Sequence, residues 1–363
     1  LKTVQELQSS KIRPPQTVTD ILHGGWAIRI LKSAVEIGLF EQLLDGPANA
    51  KAVAQKLGMP LHGVTLMLNA LVGLKLLVRG DLDVGDVPFK FSDRGDDTGE
   101  ATYGLSEEAR VYLLKDSPLF AGMYLRQHDE LEKMWRSLTD TISSGKPVME
   151  VNTDATAEEI FPRLAEAIIP LNYAISCDVV RYLKELNKAF DKPLKILDLA
   201  CGSAIWSIPF AQDNKWSKID ALDFPAVLEV AKRISAKFGV SDNFHYLTGN
   251  WRQVKIAEAH YDVAILGHIL HSEGKELSKN LLTYCHGGLR SGGVLVIGEF
   301  MTNKEHTGPL FPLMFGINMH LATTDGCVFS EDELKQMCLD AGFSDVIRHT
   351  AAQYESTVLL AVK

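Results

Sequence analysis

One run of residues constrains this chain more than any other. A short apolar segment at 195–199 carries an acid, Asp198, near its end. It passes through Ala200, Cys201, Gly202, Ser203 and Ala204 into an apolar helical pattern at 206–212. Small residues in a strand-to-helix turn let the backbone approach a ligand closely. Further short apolar segments at 217–222, 244–248, 261–266 and 293–299 alternate with helical patterns at 225–238 and 274–287. That alternation predicts a parallel, doubly wound α/β sheet. The dinucleotide fingerprint GxGxxG fails here, because its three positions hold Ala200, Gly202 and Ile205. A carboxylate at Asp198 also sits badly beside a pyrophosphate; it suits a ligand with an ammonium group and no phosphate.

The two ends of the chain have a different grammar. Ser330 with Glu333 forms a capping box, opening a helix that puts Leu334, Met337, Cys338 and Ala341 on one face before Gly342 closes it. The segments 346–350 and 357–362 have no helix between them, which predicts an antiparallel hairpin. Near the start, residues 27–43 place apolar side chains at 27, 28, 30, 31, 34, 35 and 39, close to a 3.6-residue period, with Gly38 where a helix can end. Helical patterns at 50–57, stopped by Gly58, and at 61–74 follow. Short strands at 76–78 and 103–105 then frame a Gly- and Asp-rich stretch, 81–101, that reads as a solvated loop. This is the outline of a winged helix. A DNA-reading version needs a basic recognition helix, yet residues 61–73 contain no Lys or Arg. Packing or dimerisation is the better role. A long helical stretch at 106–186, broken at Gly145-Lys146-Pro147, joins the two regions.

Composition narrows the classes further. A length of 363 residues suggests two domains. A net charge of −9 argues against nucleic acid and anionic membrane as main partners. The segment 64–78 is the nearest approach to a membrane span, and Asn69 and Lys75 interrupt it. Five cysteines, at 177, 201, 285, 327 and 338, lack CxxC spacing, which predicts reduced thiols and a cytoplasmic protein. No secretory leader is expected, since Lys2, Glu6, Lys11 and Arg13 break any apolar run. The sequence starts at Leu1, so the natural chain is expected to begin earlier.

The run Asp198-Leu-Ala-Cys-Gly-Ser-Ala204 resembles motif I of class I S-adenosylmethionine-dependent methyltransferases, D-x-G-x-G-x-G, with Ala200 and Ala204 in place of two glycines. The segment from Leu222 to Glu229 resembles the DLP segment of the plant-type and bacterial small-molecule O-methyltransferases, and Leu171 to Ser176 resembles a helix of that family. The resemblance covers nearly the whole chain. It implies a Rossmann-like methyltransferase sheet ending in an antiparallel hairpin, plus an N-terminal, mostly helical winged-helix domain that forms a homodimer. The implied division is 1–115 for dimerisation and 116–363 for catalysis, with 116–190 as a helical linker and substrate-pocket segment. The implied cofactor is S-adenosylmethionine. Asp198, Ala200, Gly202 and Gly267 would line its site, and Ser176 would lie over its methionine carboxylate. Asp223, beside Phe224, would accept from the ribose hydroxyls. Asn250 stands where the family has an acid for the adenine amino group, and Trp251 where it has an apolar cover for the ring.

The resemblance also implies a reaction centre. His271, in Leu266-Gly-His-Ile-Leu-His-Ser-Glu273, matches the catalytic His of the family's L-H-D-W segment, with Ser272 and Glu273 replacing the Asp and Trp. A His with an ordinary pKa near 6.5 is a suitable proton acceptor. His268 is expected to be structural or a wall near the cofactor. Glu299 matches the first of two Glu residues that orient the His; Val328 stands at the second. The helical pattern 311–321 reads as a substrate roof, with Met314, Asn318, Met319 and His320 as candidate contacts, or equally as a core helix. Some family members hold a metal through two His residues, and His271 with His320 is the only candidate pair; without a spacing motif, no metal is expected. The expected reaction is O-methylation of an aromatic or polyketide-like small molecule. The alternatives are C- or N-methylation, or a cofactor-bound family member that no longer methylates.

Overall fold

The computed structural model describes residues 15–80, 101–151, 153–349 and 356–363. It divides after Gly122 into two units.

The first unit opens with α1 (Gln16–Glu36), followed by a 3-10 turn at Phe40–Leu43, β1 (Ala48–Asn49), α2 (Ala50–Leu57), α3 (Leu61–Gly73), β2 (Leu77–Arg79), β3 (Thr102–Leu105) and α4 (Glu107–Tyr112). Its small antiparallel sheet runs β1-β3-β2. The Asn49 side chain accepts from the Ala52 N–H and caps α2, and Gly58 closes it in the left-handed conformation. The pattern at 27–43 breaks at Gly38, where the sequence allowed a helix to end. Gly38 takes φ +69°, the chain turns, and Leu39, Phe40 and Leu43 fold back into the core beside Ala34, Leu68 and Leu71. The helix also begins earlier, and Val18, Ile21, Leu22 and Trp26 on that added length are exposed. The loop expected at 81–101 lies, except for Ala101, outside the described residues.

The division falls at the first residue of α5 (Gly122–Trp135), and the second unit continues with α6 (Leu138–Ser144), α7 (Asp154–Ala167) and α8 (Ile169–Leu186). The expected break at Gly145 is one of several in that stretch. There follow β4 (Lys195–Leu199), α9 (Ile208–Asp213), β5 (Lys218–Asp223), α10 (Pro225–Lys237), β6 (Phe244–Thr248), β7 (Tyr261–Gly267), α11 (Leu270–Gly288), β8 (Leu289–Glu299), α12 (Leu310–Ala322), α13 (Glu331–Asp340), β9 (Asp345–His349) and β10 (Thr357–Val362). The strands form one sheet in the order β6-β5-β4-β7-β8-β10-β9. Its first five strands are parallel; β10 pairs antiparallel with both β8 and β9. The doubly wound sheet and closing hairpin are therefore as the sequence predicted.

Side chains of alternate residues share a sheet face. Leu197 and Leu199, Ala264 and Leu266, Leu295 and Ile297, and Leu359 and Ala361 share one core with Leu281 and Leu282 of α11 and with Leu334 and Met337 of α13. The other face is buried too, which explains why these strands read as continuous apolar runs. Strand order reverses between β4 and β7. In open α/β sheets the ligand crevice lies at such a reversal, outside the carboxyl ends of the strands.

Candidate active site

The crevice is built from strand ends. After β4 the turn holds Ala200, Gly202 and Ala204 at φ +53°, +57° and +61°, so all three positions where motif I has glycine are left-handed. The Gly202 N–H donates to Asp223 Oδ2 at 2.8 Å, and the Phe224 N–H to Asp223 Oδ1 at 2.7 Å. These bonds fix the acid at the end of β5 against the β4 turn. Asp198 is fully enclosed, and its Oδ2 accepts from the Ser207 hydroxyl at 2.5 Å. Burial pushes the Asp198 carboxyl up to about 7, a rise that the Ser207 bond opposes and the nearby Asp223 charge reinforces. Burial likewise lifts Asp223 to about 6, against the two N–H bonds. Two adjacent buried acids raised in this way favour a ligand that brings an ammonium group and hydroxyl donors. They disfavour one that brings phosphate.

The remaining candidate cofactor residues surround this pair in different ways. The Ser176 hydroxyl contacts the carbonyls of Tyr173 and Ile205, at 2.8 and 3.0 Å, and so ties α8 to the turn. Asn250 Oδ1 accepts from the Arg252 N–H at 3.0 Å. Trp251 packs edge-on to Tyr284, with 5.9 Å between ring centres. Gly267 and Gly298, at the ends of β7 and β8, give room to the buried Trp206 ring: a Cβ on either would lie 2.4 Å from it.

At the next strand ends His271 and Glu299 meet. His271 Nδ1 lies 2.7 Å from Glu299 Oε2, and the His271 N–H donates to Glu299 Oε1 at 3.3 Å. An ionised carboxylate only accepts, so Nδ1 carries the proton and Nε2 is left as the basic nitrogen. Burial alone would raise the Glu299 pKa, but the charge of a protonated His271 and the bonds from it outweigh burial and hold the carboxyl below its ordinary value. His268 is neutral, its pKa lowered by burial to about 4. Its Nε2 lies 3.0 Å from Asn172 Oδ1, which makes it a wall anchored to α8.

Phe315 and Phe300 lie against the His271 ring, and Phe311 packs on both of them. Phe315 meets the imidazole edge-on with centres 4.8 Å apart, and Phe300 packs against Phe315 and Phe311 at 4.7 and 4.9 Å. None of the three was singled out in the sequence. Phe311 and Phe315 share a face of α12 through their i, i+4 spacing, and Phe300 directly follows Glu299, so a signal was present. Of the roof residues selected instead, Met314 is exposed and Met319 is buried. Asn318 accepts from Trp135 Nε1 at 2.9 Å. Among the described residues, two groups bring three His, Asp or Glu donor atoms within 4.8 Å of one another: His268–His271–Glu299 and His128–Asp129–Glu132. His320 belongs to neither.

Comparison with known proteins agrees with this architecture. Residues 178–344 match the O-methyltransferase domain, and residues 19–115 match the O-methyltransferase dimerisation domain. Acetylserotonin O-methyltransferase of Bos taurus is 27% identical over 354 residues, covering 93% of this chain and 94% of that protein. A 3-hydroxy-5-methyl-1-naphthoate 3-O-methyltransferase of Streptomyces sahachiroi is 24% identical, covering 92% and 90%. The crystal structure of human N-acetylserotonin methyltransferase, in complex with SAM, superposes with a TM-score of 0.74 at 22% identity, over 98% of this chain and 99% of that one. The chain is a methyltransferase-fold α/β protein. It belongs to the O-methyltransferase family that joins such a catalytic domain to a dimerisation domain.

Proposed function

We propose that this protein moves the methyl group of S-adenosylmethionine to a hydroxyl of an apolar, aromatic or polyketide-like small molecule, with His271 as the general base. The observation that carries the reading is the 2.7 Å contact between His271 Nδ1 and the enclosed Glu299 carboxylate. It fixes the tautomer, leaves Nε2 free to take a proton, and stabilises the imidazolium that results. The raised acids of the crevice support the cofactor. Asp198 faces its ammonium, Asp223 with Phe224 holds the ribose, and Ser176, Ala200, Gly202 and Gly267 line it. Asn250 and Trp251 hold the adenine. Bound S-adenosylmethionine supplies an electrophilic methyl on a sulfonium. The chain's own work is then to hold the acceptor oxygen in line with that methyl and to withdraw its proton. Phe300, Phe311 and Phe315 offer flat apolar walls for an aromatic ring, extended along α12 by Met314, Asn318, Met319 and His320.

The division into a dimerisation part, 1–115, and a catalytic part, 116–363, belongs to this reading. So does a homodimer, supported by the dimerisation-domain match and by the exposed apolar residues of α1.

The test is a panel of phenols, catechols and polyketides screened by product mass, with wild type and His271→Ala. His271→Ala should lower turnover about 10²–10⁴-fold and leave cofactor affinity nearly unchanged. Its activity should recover partly as the pH approaches the acceptor's own pKa. Near-wild-type turnover of this variant at pH 7 would refute the base. S-adenosylmethionine binding with no acceptor methylated would favour the non-methylating alternative.

A further inference from the structure

The turn that carries His271 is a separate piece of chain. At Gly274 the backbone leaves helical geometry, with φ 72° and ψ 177°, so residues 270–273 are a turn set off from the regular helix that follows. The position of this turn depends on its ties. One runs to Glu299 at the end of β8. A second is the Cys327 N–H donating to the His271 carbonyl at 2.8 Å. A third is the Ser278 hydroxyl bonded to the Leu270 carbonyl at 3.0 Å. The fourth leads elsewhere. Glu273 Oε2 lies 2.6 Å from Arg252 Nη2, its side chain only 12% exposed.

Arg252 belongs to the loop after β6 that carries Asn250 and Trp251. Its N–H donates to Asn250 Oδ1, and its guanidinium lies 5.5 Å from the centre of the Trp251 ring. One residue therefore joins the two segments: its backbone N–H holds Asn250, and its guanidinium lies near Trp251 and pairs with Glu273 on the segment holding the base. Glu273 also stands where the family segment has Trp, a charged residue in place of an apolar one.

We propose that the Arg252–Glu273 ion pair is a positioning device for methyl transfer, tying the adenine loop to the His271 turn so that a filled cofactor site holds the base in its working place. The inference rests on the cofactor and base assignments above. A largely enclosed carboxylate paired with one guanidinium favours a single geometry, and Glu273 lies two residues from His271 in the same short turn, which passes that geometry on. Neither residue touches the reacting atoms; both act through His271.

Hydrogen exchange of the 269–275 segment, with and without saturating S-adenosylhomocysteine, tests the coupling. In wild type, exchange there should slow when the ligand is added. Arg252→Met and Glu273→Gln should still bind the ligand at high concentration without that slowing. At saturating S-adenosylmethionine their turnover should fall about tenfold, within the range of ordinary coupling between sites. Arg252→Lys, which keeps the charge, should retain most of both effects. The inference is overturned if slowing persists in Arg252→Met, if both single variants turn over within twofold of wild type, or if Arg252→Lys is as impaired as Arg252→Met. Calorimetry on wild type separates the two levels. Failure to bind S-adenosylhomocysteine removes the cofactor assignment together with this inference, whereas binding with unaltered exchange removes the inference alone.

Discussion

Ala200 and Ala204 show what the glycines of motif I are for. A side chain at φ above +50° crowds the following carbonyl, at roughly 1–2 kcal/mol per residue. This chain carries that strain at two of three positions because the turn must curl tightly enough to put the Gly202 N–H on Asp223. Asp198 adds a second local cost. Its folded-state pKa, about 7, exceeds the ordinary 3.8, so the folded protein binds its proton more tightly than the unfolded chain. The resulting stabilisation is whole below about pH 4 and is lost as pH rises through 7. Asp198→Asn carries no charge at any pH. The ligand-free variant should therefore melt several degrees above wild type at pH 8, by on the order of 2–4 kcal/mol of stability. The gap should shrink toward pH 5, and cofactor binding should weaken. Scanning fluorimetry at both pH values, with and without S-adenosylmethionine, checks this.

At the level of elements, α11 is the one whose irregularity matters. Gly274 is left-handed, and a Cβ there would lie 2.5 Å from the Asp325 carbonyl oxygen. Gly274→Ala should cost about 2–3 kcal/mol in urea unfolding. It should lower the single-turnover rate more than cofactor affinity, because the displaced turn carries His271. Equal losses in both would argue against that separation. Residues near the ends of predicted strands were legible in the sequence: Asp198, Asp223 and Glu299 lie at or beside the end of an apolar run, whereas His271, four residues past β7, is marked by the family resemblance alone. The i, i+4 spacing of Phe311 and Phe315 marks their shared face, but that this face meets Phe300, and that Arg252 meets Glu273, could not be read from the sequence. Their contacts depend on how a loop or a roof helix settles over the strand ends, and no period along the chain encodes that. Near the start of the chain the stop at Gly38 was legible, but the helix's beginning at Gln16 and the path beyond Gly38 were not. Apolar spacing continues through Gly38, but the left-handed turn sends Leu39, Phe40 and Leu43 inward on a different path.

For the whole molecule, that correction moves the face available for assembly. Much of the stripe at 27–43 is consumed within its own unit, while Val18, Ile21, Leu22 and Trp26 stay exposed. Light scattering at micromolar concentration should give twice the chain mass. Replacing Ile21 and Leu22 together by Asp should reduce it to that of one chain, since charges at an apolar interface core are strongly disfavoured. A single-chain mass for wild type would count against the dimer. The sheet carries a consequence of another kind, concerning how the protein is made. Of its strands, β10 comes off the ribosome last, yet it lies inside the sheet, hydrogen-bonded to β8 on one side and β9 on the other. Until it emerges, β8 has an open edge and β9 has nothing to pair with. The nascent chain must therefore hold five parallel strands with the β8 flank bare as well as the β6 edge, and the sheet is complete only after translation has passed Val362.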